Sequence, residues 1–275
     1  MTKPSFPLAP RTALFLPASN PRAVAKARTL AVDMVILDLE DAVPEEQKAA
    51  ARTAAVDAIG EGFGDRLLAV RINASDTPEH GEDVAAARGT GADFVILPKA
   101  EDAMQVNELC ARVGIPVIAM IETPAGVLAG AEIAAQPRVA GLIAGTNDLR
   151  AGLRIPPAAG REGLALALQT IVLAARAGGC WALDGVFNAL GDADGLAVEC
   201  REGRAMGFDG KTLIHPNQLE VATRAFGPDA SEVEEAEALV AAATGGAERF
   251  RDRMIEAMHV EQARELLARA HRPLA

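Results

Sequence analysis

Short apolar runs alternate with alanine-rich amphipathic segments through the first 225 residues, and this alternation constrains the fold more than any other feature of the chain. A run of about 4–8 apolar residues followed by a helix-length segment, repeated many times, is the pattern of βα units around a parallel sheet. The runs fall at residues 12–17, 34–39, 67–72, 94–98, 117–121, 139–144, 180–186 and 211–214. Candidate helices lie near 21–31, 44–59, 79–88, 100–113, 124–135, 161–177, 193–206 and 217–226. Eight such pairs predict an α/β protein with a closed (β/α)8 TIM barrel over residues 1–226. A length of 275 residues suits that architecture, which commonly takes about 250 residues as one unit. Gly60, Gly62 and Gly64 precede a strand, whereas a dinucleotide fingerprint needs its glycines directly after one, so a Rossmann oxidoreductase is disfavoured.

The net charge of -11 argues against a general nucleic-acid surface and against adsorption to anionic membranes. It leaves room for an anionic ligand held by a few local arginines. Cys110, Cys180 and Cys200 show no CxxC spacing, which suits a reducing cytosol. The start of the chain is interrupted by Pro4, Pro7 and Pro10 and lacks a signal-peptide core, so a cytoplasmic protein is expected.

Polar residues gather at the strand C-terminal ends, where barrel enzymes build their sites. Asp38, Glu40 and Asp41 end the second strand, Arg71 and Asn73 the third, Lys99 the fourth and Glu122 the fifth. Asp148 follows the sixth, Asp184 and Asn188 flank the end of the seventh, and His215 follows the eighth. Strand alternation puts Ile118, Met120 and Glu122 on one core-facing row, so the Glu122 carboxylate needs a cation, a hydrogen-bond network or a raised pKa. Adjacent strands lie about 4.8 Å apart, close enough for Glu122 and Asp148 to share one ion, and oxygen-only ligands favour Mg²⁺ or Mn²⁺. The same positions equally serve carboxylates that cap neighbouring helices or pair with basic side chains. Arg71 suits a two-pronged grip on a carboxylate, an internal salt bridge to Glu40 or Asp41, or both. Gly145, Thr146 and Asn147 are candidates to present backbone N–H groups to the same anion. His215 reads more readily as a structural histidine than a catalytic one, Cys180 as core, and no zinc motif or G-x-S-x-G elbow is present.

Beyond Phe226 the pattern changes. Ser231 and Glu234 suggest a capping box at the start of an acidic helix, and a second helix follows within 250–270. Residues 227–275 are expected to form a helical extension, a lid or an arm packed on a neighbouring subunit.

The motifs TALFLPASNP, VILDLEDAVPEEQKAAAR, AVRINASDTP, FVILPKAEDA, IETPAG, AGTNDL, LDGVFN and GFDGKTLIHPNQ occur in this order across nearly the whole chain. In this the chain resembles the citrate lyase β-subunit-like and malyl-CoA lyase group of carbon–carbon lyases. The resemblance implies a (β/α)8 barrel in homotrimers or larger assemblies, with Mg²⁺ (or Mn²⁺) on Glu122 and Asp148. It implies that Arg71 holds the carboxylate of a 2-oxo acid such as glyoxylate, oxaloacetate or pyruvate, and that Glu40 and Asp41 organise bound water and the polar floor. A CoA thioester would enter over the loops near 18–22 and the tail. The implied reaction is reversible cleavage of a 3-hydroxyacyl-CoA, such as malyl-CoA or citramalyl-CoA, to an acyl-CoA and a 2-oxo acid. The alternatives are a malyl-CoA thioesterase, a citryl-acyl-carrier lyase subunit and a noncatalytic 2-oxo-acid-binding paralogue. In malyl-CoA lyases the completing acid resembles an Asp in an M-[IV]-D tail motif from a neighbouring subunit. Here Met254, Ile255 and Glu256 stand at those positions, so the acid is one methylene longer. Glu256 also reads as a solvated carboxylate at a helix start.

Overall fold

The computed structural model describes residues 6–270. Eight parallel strands close into a barrel in sequence order, with the first strand hydrogen-bonded to both the second and the eighth. They are β1 Thr12–Pro17, β2 Met34–Asp38, β3 Leu67–Arg71, β4 Phe94–Leu97, β5 Val117–Ile121, β6 Val139–Ala144, β7 Trp181–Asp184 and β8 Gly210–Leu213. A closed parallel sheet is covered on both faces, which is why these strands read as unbroken apolar runs. Alternation sorts the two faces. Ala13, Phe15, Met34, Ile36, Phe94, Ile96, Ile118 and Met120 fill the barrel interior, while Leu14, Leu16, Val35, Leu37, Ala119 and Ile121 pack outward against helices. The expected row of Ile118 and Met120 therefore does face the interior. Phe94 meets the Trp181 ring edge-on at 5.1 Å. On the neighbouring strand Gly141 makes room for the indole, since a Cβ there would stand 3.2 Å from that of Trp181.

The helices are α1 Pro21–Ala27, α2 Lys48–Glu61, α3 His80–Ala87, α4 Ala103–Val113, α5 Pro124–Ala134, α6 Thr146–Gly152, α7 Ala165–Ala177, α8 Ala193–Met206 and α9 Leu219–Phe226. Their starts are written locally. Asp102 and Asp192 accept backbone N–H groups of the first turns of α4 and α8, and Thr123 does so for α5, where Pro124 needs no partner. The sixth unit differs from the single helix expected at 161–177. A short α6 follows β6 directly, and α7 comes after it. In α6 only Leu149 is buried, so the segment shows no apolar period for a sequence reading to find.

The tail comprises α10 Ala230–Ala242, a small antiparallel hairpin of β9 Glu248–Phe250 and β10 Arg253–Ile255, and α11 Ala257–Ala270. The capping box on α10 is Asp229 with Glu232, not Ser231 with Glu234 as expected. Glu232 N–H donates to Asp229 Oδ1 at 2.8 Å and Asp229 N–H to Glu232 Oε2 at 2.9 Å. Pro228 disfavours the helical region for the residue before it and so separates α9 from a new start at Asp229. Ala236, Leu239, Phe250, Ile255, Val260 and Ala263 form a core of the tail's own. Arg204 of α8 pairs with Glu232 at 2.7 Å, and Arg269 of α11 with Asp209, just before β8, at 3.3 Å. Among the described residues no helix is long and apolar enough to cross a membrane.

Candidate active site

At the C-terminal end of the barrel the strand register pairs Asp38 on β2 with Arg71 on β3. Their side chains meet in a two-pronged ion pair, Nε to Oδ1 at 2.7 Å and Nη2 to Oδ2 at 2.6 Å. The guanidinium lies 4.9 Å from the centre of the Phe15 ring. Burial works against its charge, but Asp38, Glu40 and Asp41 outweigh that and raise its pKa. Nη1 makes no aligned carboxylate hydrogen bond among the described residues; it lies 3.9 Å from the Met120 sulfur and, as ion-pair contacts, 2.9 Å from Glu40 Oε2 and 3.5 Å from Asp41 Oδ2.

Glu40 approaches this nitrogen without bonding to it. Its Oε2 lies 2.9 Å from Arg71 Nη1, yet no N–H points at the oxygen, which is the one buried side-chain polar atom without a hydrogen bond among the described residues. Its other oxygen, Oε1, accepts from Lys99 Nζ at 3.0 Å. Burial raises the Glu40 pKa, with Arg71 pulling against it. Lys99 itself adopts φ of 48°, the left-handed region that side chains other than glycine seldom occupy. That turn points its backbone N–H at Glu122, donating to Oε1 at 2.7 Å.

Glu122 follows β5 and is 3% exposed. Burial pushes its pKa up to about 8, helped by Glu40 and Asp148 and opposed by the Lys99 amide and Arg71. Gly145 is required beside it, because a Cβ there would come within 2.6 Å of Glu122 Oε2. Asp148, in the first turn of α6, is half-buried and carries no ion pair among the described residues. Arg71, Glu122, Asp148, Asp38 and Asp41 line one cavity of about 360 Å³, closed by Phe15, Met120, Thr146 and Asn147.

This set can hold a small hard cation. Among the described residues no three His, Cys, Asp or Glu side chains cluster as a complete ligand set. Two carboxylates with the remaining positions left to water and substrate oxygens is the arrangement Mg²⁺ accepts. One oxygen of Glu122 is taken by Lys99 and the other is not, so the pair fits such an ion.

The structure thus brings Arg71, Glu122, Asp148, Asp41, Gly145, Thr146 and Asn147 to one cavity, with Glu40 bonded behind it. The Gly145 N–H is not available to an anion, however, because it donates to Ile121 O at 3.0 Å. Its contribution is the space it leaves for Glu122. Asp184 is fully buried with Lys211 and Arg161 and lies off the cavity, and exposed His215 accepts from Asn217 N–H. Cys180 is buried and donates to Ala134 O at 3.3 Å. Glu256 is exposed and does not line the cavity of its own chain. Two roles were not read from the sequence. Asp38 as the main partner of Arg71 was findable from cross-strand register, and Lys99 as a double tether was not, because it depends on a left-handed backbone.

A parallel (β/α)8 barrel with a buried arginine and paired acids at its strand C-termini has the layout of a barrel-enzyme active site. The chain belongs to the HpcH/HpaI aldolase/citrate lyase family, whose model matches residues 11–216. A second family model, for carbon–carbon bond lyases of the TIM-barrel fold, matches residues 168–272. The chain is 42% identical over 269 residues to a (3S)-malyl-CoA thioesterase of Cereibacter sphaeroides, covering 94% of each. It is 40% identical over 264 residues to a citrate lyase subunit beta-like protein of Mycobacterium tuberculosis, again over 94% of each. It also superposes on the crystal structure of CitE from Mycobacterium tuberculosis in complex with magnesium, acetoacetate and coenzyme A. There the TM-score is 0.80 at 38% identity, covering 95% of this chain and 98% of that one.

Proposed function

We propose that this protein is a Mg²⁺-dependent carbon–carbon lyase that cleaves, and in reverse forms, a short 3-hydroxyacyl-CoA such as malyl-CoA or citramalyl-CoA. The observation that carries this reading is Arg71 in one cavity with Glu122 and Asp148, its Nη1 in ion-pair contact with Glu40 and Asp41 but aligned on neither as a hydrogen-bond donor among the described residues. Similarity to a family that includes citrate lyase subunits, and to a magnesium and coenzyme A complex, supports the cation and the thioester. Glu122 and Asp148 would hold the ion, which would supply Lewis-acid stabilisation of negative charge on the substrate hydroxyl oxygen. Arg71 fixes the carboxylate of the part that becomes the 2-oxo acid. As the carbon–carbon bond breaks, the hydroxyl proton leaves towards Asp41, which lines the cavity, with Glu40 behind it. The acyl-CoA fragment departs with the bonding pair and regains a proton at its α-carbon. Glu256 from a second copy is the acid we assign to that step, within a homotrimer or larger assembly in which residues 227–275 act as the intersubunit arm.

Hydrolysis is the second reading, favoured by the identity to a (3S)-malyl-CoA thioesterase. Incubation of malyl-CoA and citramalyl-CoA with Mg²⁺ or Mn²⁺ separates the two. Cleavage gives acetyl-CoA and 2-oxo acid in equal amounts, whereas hydrolysis gives free CoA and no oxo acid. Activity on the acyl-carrier-bound thioester alone would indicate a citrate-lyase-type subunit, and 2-oxo acid binding without turnover a ligand-binding paralogue. Glu122→Gln and Asp148→Asn should each abolish metal-dependent turnover. Full activity in both variants would refute the metal assignment.

A further inference from the structure

A buried arginine surrounded by three acids is poorly suited to bind a fourth carboxylate unless something keeps one donor edge open. Asp38 takes the Nε–H and one of the two Nη2–H donors of Arg71. Of the two acids beside Nη1, Glu40 is the nearer and the buried one, its Oε2 2.9 Å away, whereas the exposed Asp41 stands at 3.5 Å. Glu40 does not close Nη1, because no N–H is directed at its Oε2. Among the described residues, the one hydrogen bond of the Glu40 side chain is to Lys99 Nζ, at 3.0 Å through Oε1. The Lys99 main chain is fixed in turn by its left-handed turn and by its N–H on Glu122 Oε1 at 2.7 Å.

We propose that Lys99 is a positioning residue that holds Glu40 askew of Arg71 and so keeps Nη1 open for a substrate carboxylate. The proposal rests on the function argued above, in which Arg71 receives the 2-oxo acid. Without the ammonium, a small rotation of Glu40 aligns its carboxylate on Nη1, and the enzyme's own acid competes with the ligand. The backbone half of the tether is separate from the side-chain half. Replacing the side chain leaves the N–H on Glu122, so the cation site is retained.

The test measures binding, not turnover. Pyruvate and acetate are titrated calorimetrically into wild-type protein and Lys99→Met with Mn²⁺ present, and Mn²⁺ affinity alone is read by electron paramagnetic resonance. Lys99→Met is expected to weaken pyruvate about tenfold, the equivalent of one charge-assisted hydrogen bond, while Mn²⁺ affinity stays within about threefold, far less than loss of a ligand would cause. Lys99→Arg should keep most of the pyruvate affinity, and Lys99→Met combined with Glu40→Ala should recover it by removing the competitor. Equal pyruvate affinity in wild type and Lys99→Met, or no recovery in the double variant, overturns the proposal and leaves the lyase reading standing. A wild-type protein that binds Mn²⁺ but neither anion overturns the assignment of Arg71 as receptor, and this proposal with it.

Discussion

A carboxylate that is 3% exposed and faces two other acids is easier to protonate than to ionise, and Glu122 therefore couples the cation site to pH. In the unfolded chain it titrates near 4.5, in the folded metal-free chain near 8. Below the lower value both states hold the proton and Glu122 contributes no pH dependence. Between the two values the unfolded chain has released a proton that the folded chain keeps, so stability falls as pH rises, by up to about 1.4 kcal/mol per unit from this group. Above about 8 the loss levels off. A bound cation replaces the proton, so Mg²⁺ affinity should rise through pH 6 to 8 by no more than about tenfold per unit and then flatten. The stabilisation seen in thermal unfolding on adding Mg²⁺ should accordingly be larger at pH 8 than at pH 6. Calorimetry in buffers of different ionisation enthalpy, showing no proton release at pH 7, would contradict this. Glu122 and Arg71 could be singled out from the sequence because each is a charge ending an apolar strand. The misaligned Glu40 and the tether from Lys99 were not legible, because they are set by a φ angle and a hydrogen-bond direction, which residue order does not encode.

Strand ends carry structural charges as well as reactive ones, and β7 and β8 show the difference. Asp184 and Lys211 are both completely buried and 3.0 Å apart. Lys211 Nζ also donates to Gly185 O at 2.6 Å and to Glu199 at 2.7 Å, while Arg161 holds the other Asp184 oxygen. These bonds tie α8 and the segment ahead of α7 to the loop after β7, whose Val186 reaches the cavity. Lys211→Met should cost about 3 kcal/mol, the low end for a broken buried pair, since Arg161 remains to partner Asp184. Urea unfolding of the variant measures it, and adding Asp184→Asn should return part of the loss. A stability unchanged within error would show that the network is dispensable. The sequence placed Asp184 with the other strand-end acids, and nothing in its position distinguished it from Glu122. What separates them is the partner: a lysine from β8 satisfies Asp184, whereas among the described residues Glu122 is bonded by a backbone amide alone. The strands themselves were legible because burial on both faces leaves long apolar runs. α6 was not, being short and apolar at one position, nor was the β9–β10 hairpin, whose strands have three residues each.

On the scale of the whole molecule, the tail is fastened away from the cavity. Arg269 at the end of α11 bonds to Asp209, which precedes β8 and so lies at the strand N-terminal end of the barrel. Glu256, at the other end of the same helix, is exposed between Met254 at 62% and Met258 at 55% exposure. Two solvated methionines beside an acid suit contact with another surface better than contact with water. If that surface is the cavity mouth of a second copy, an acid can be supplied in trans, and the extra methylene of Glu256 is taken up by the path of the arm. Glu256→Gln should then lower turnover by about 10²–10⁴, the usual worth of a general acid, and leave Mn²⁺ affinity unchanged. Arg71→Ala should be inactive for a different reason, loss of the oxo-acid receptor. The two inactive variants, mixed and allowed to exchange subunits, would regain measurable activity, because some sites would combine an intact Arg71 from one copy with an intact Glu256 from its neighbour. Subunits that act alone, or a Glu256 that serves its own chain, would give no recovery at any mixing ratio. Native mass spectrometry of the mixture with one variant isotope-labelled, confirming that mixed oligomers had formed, makes that negative result decisive.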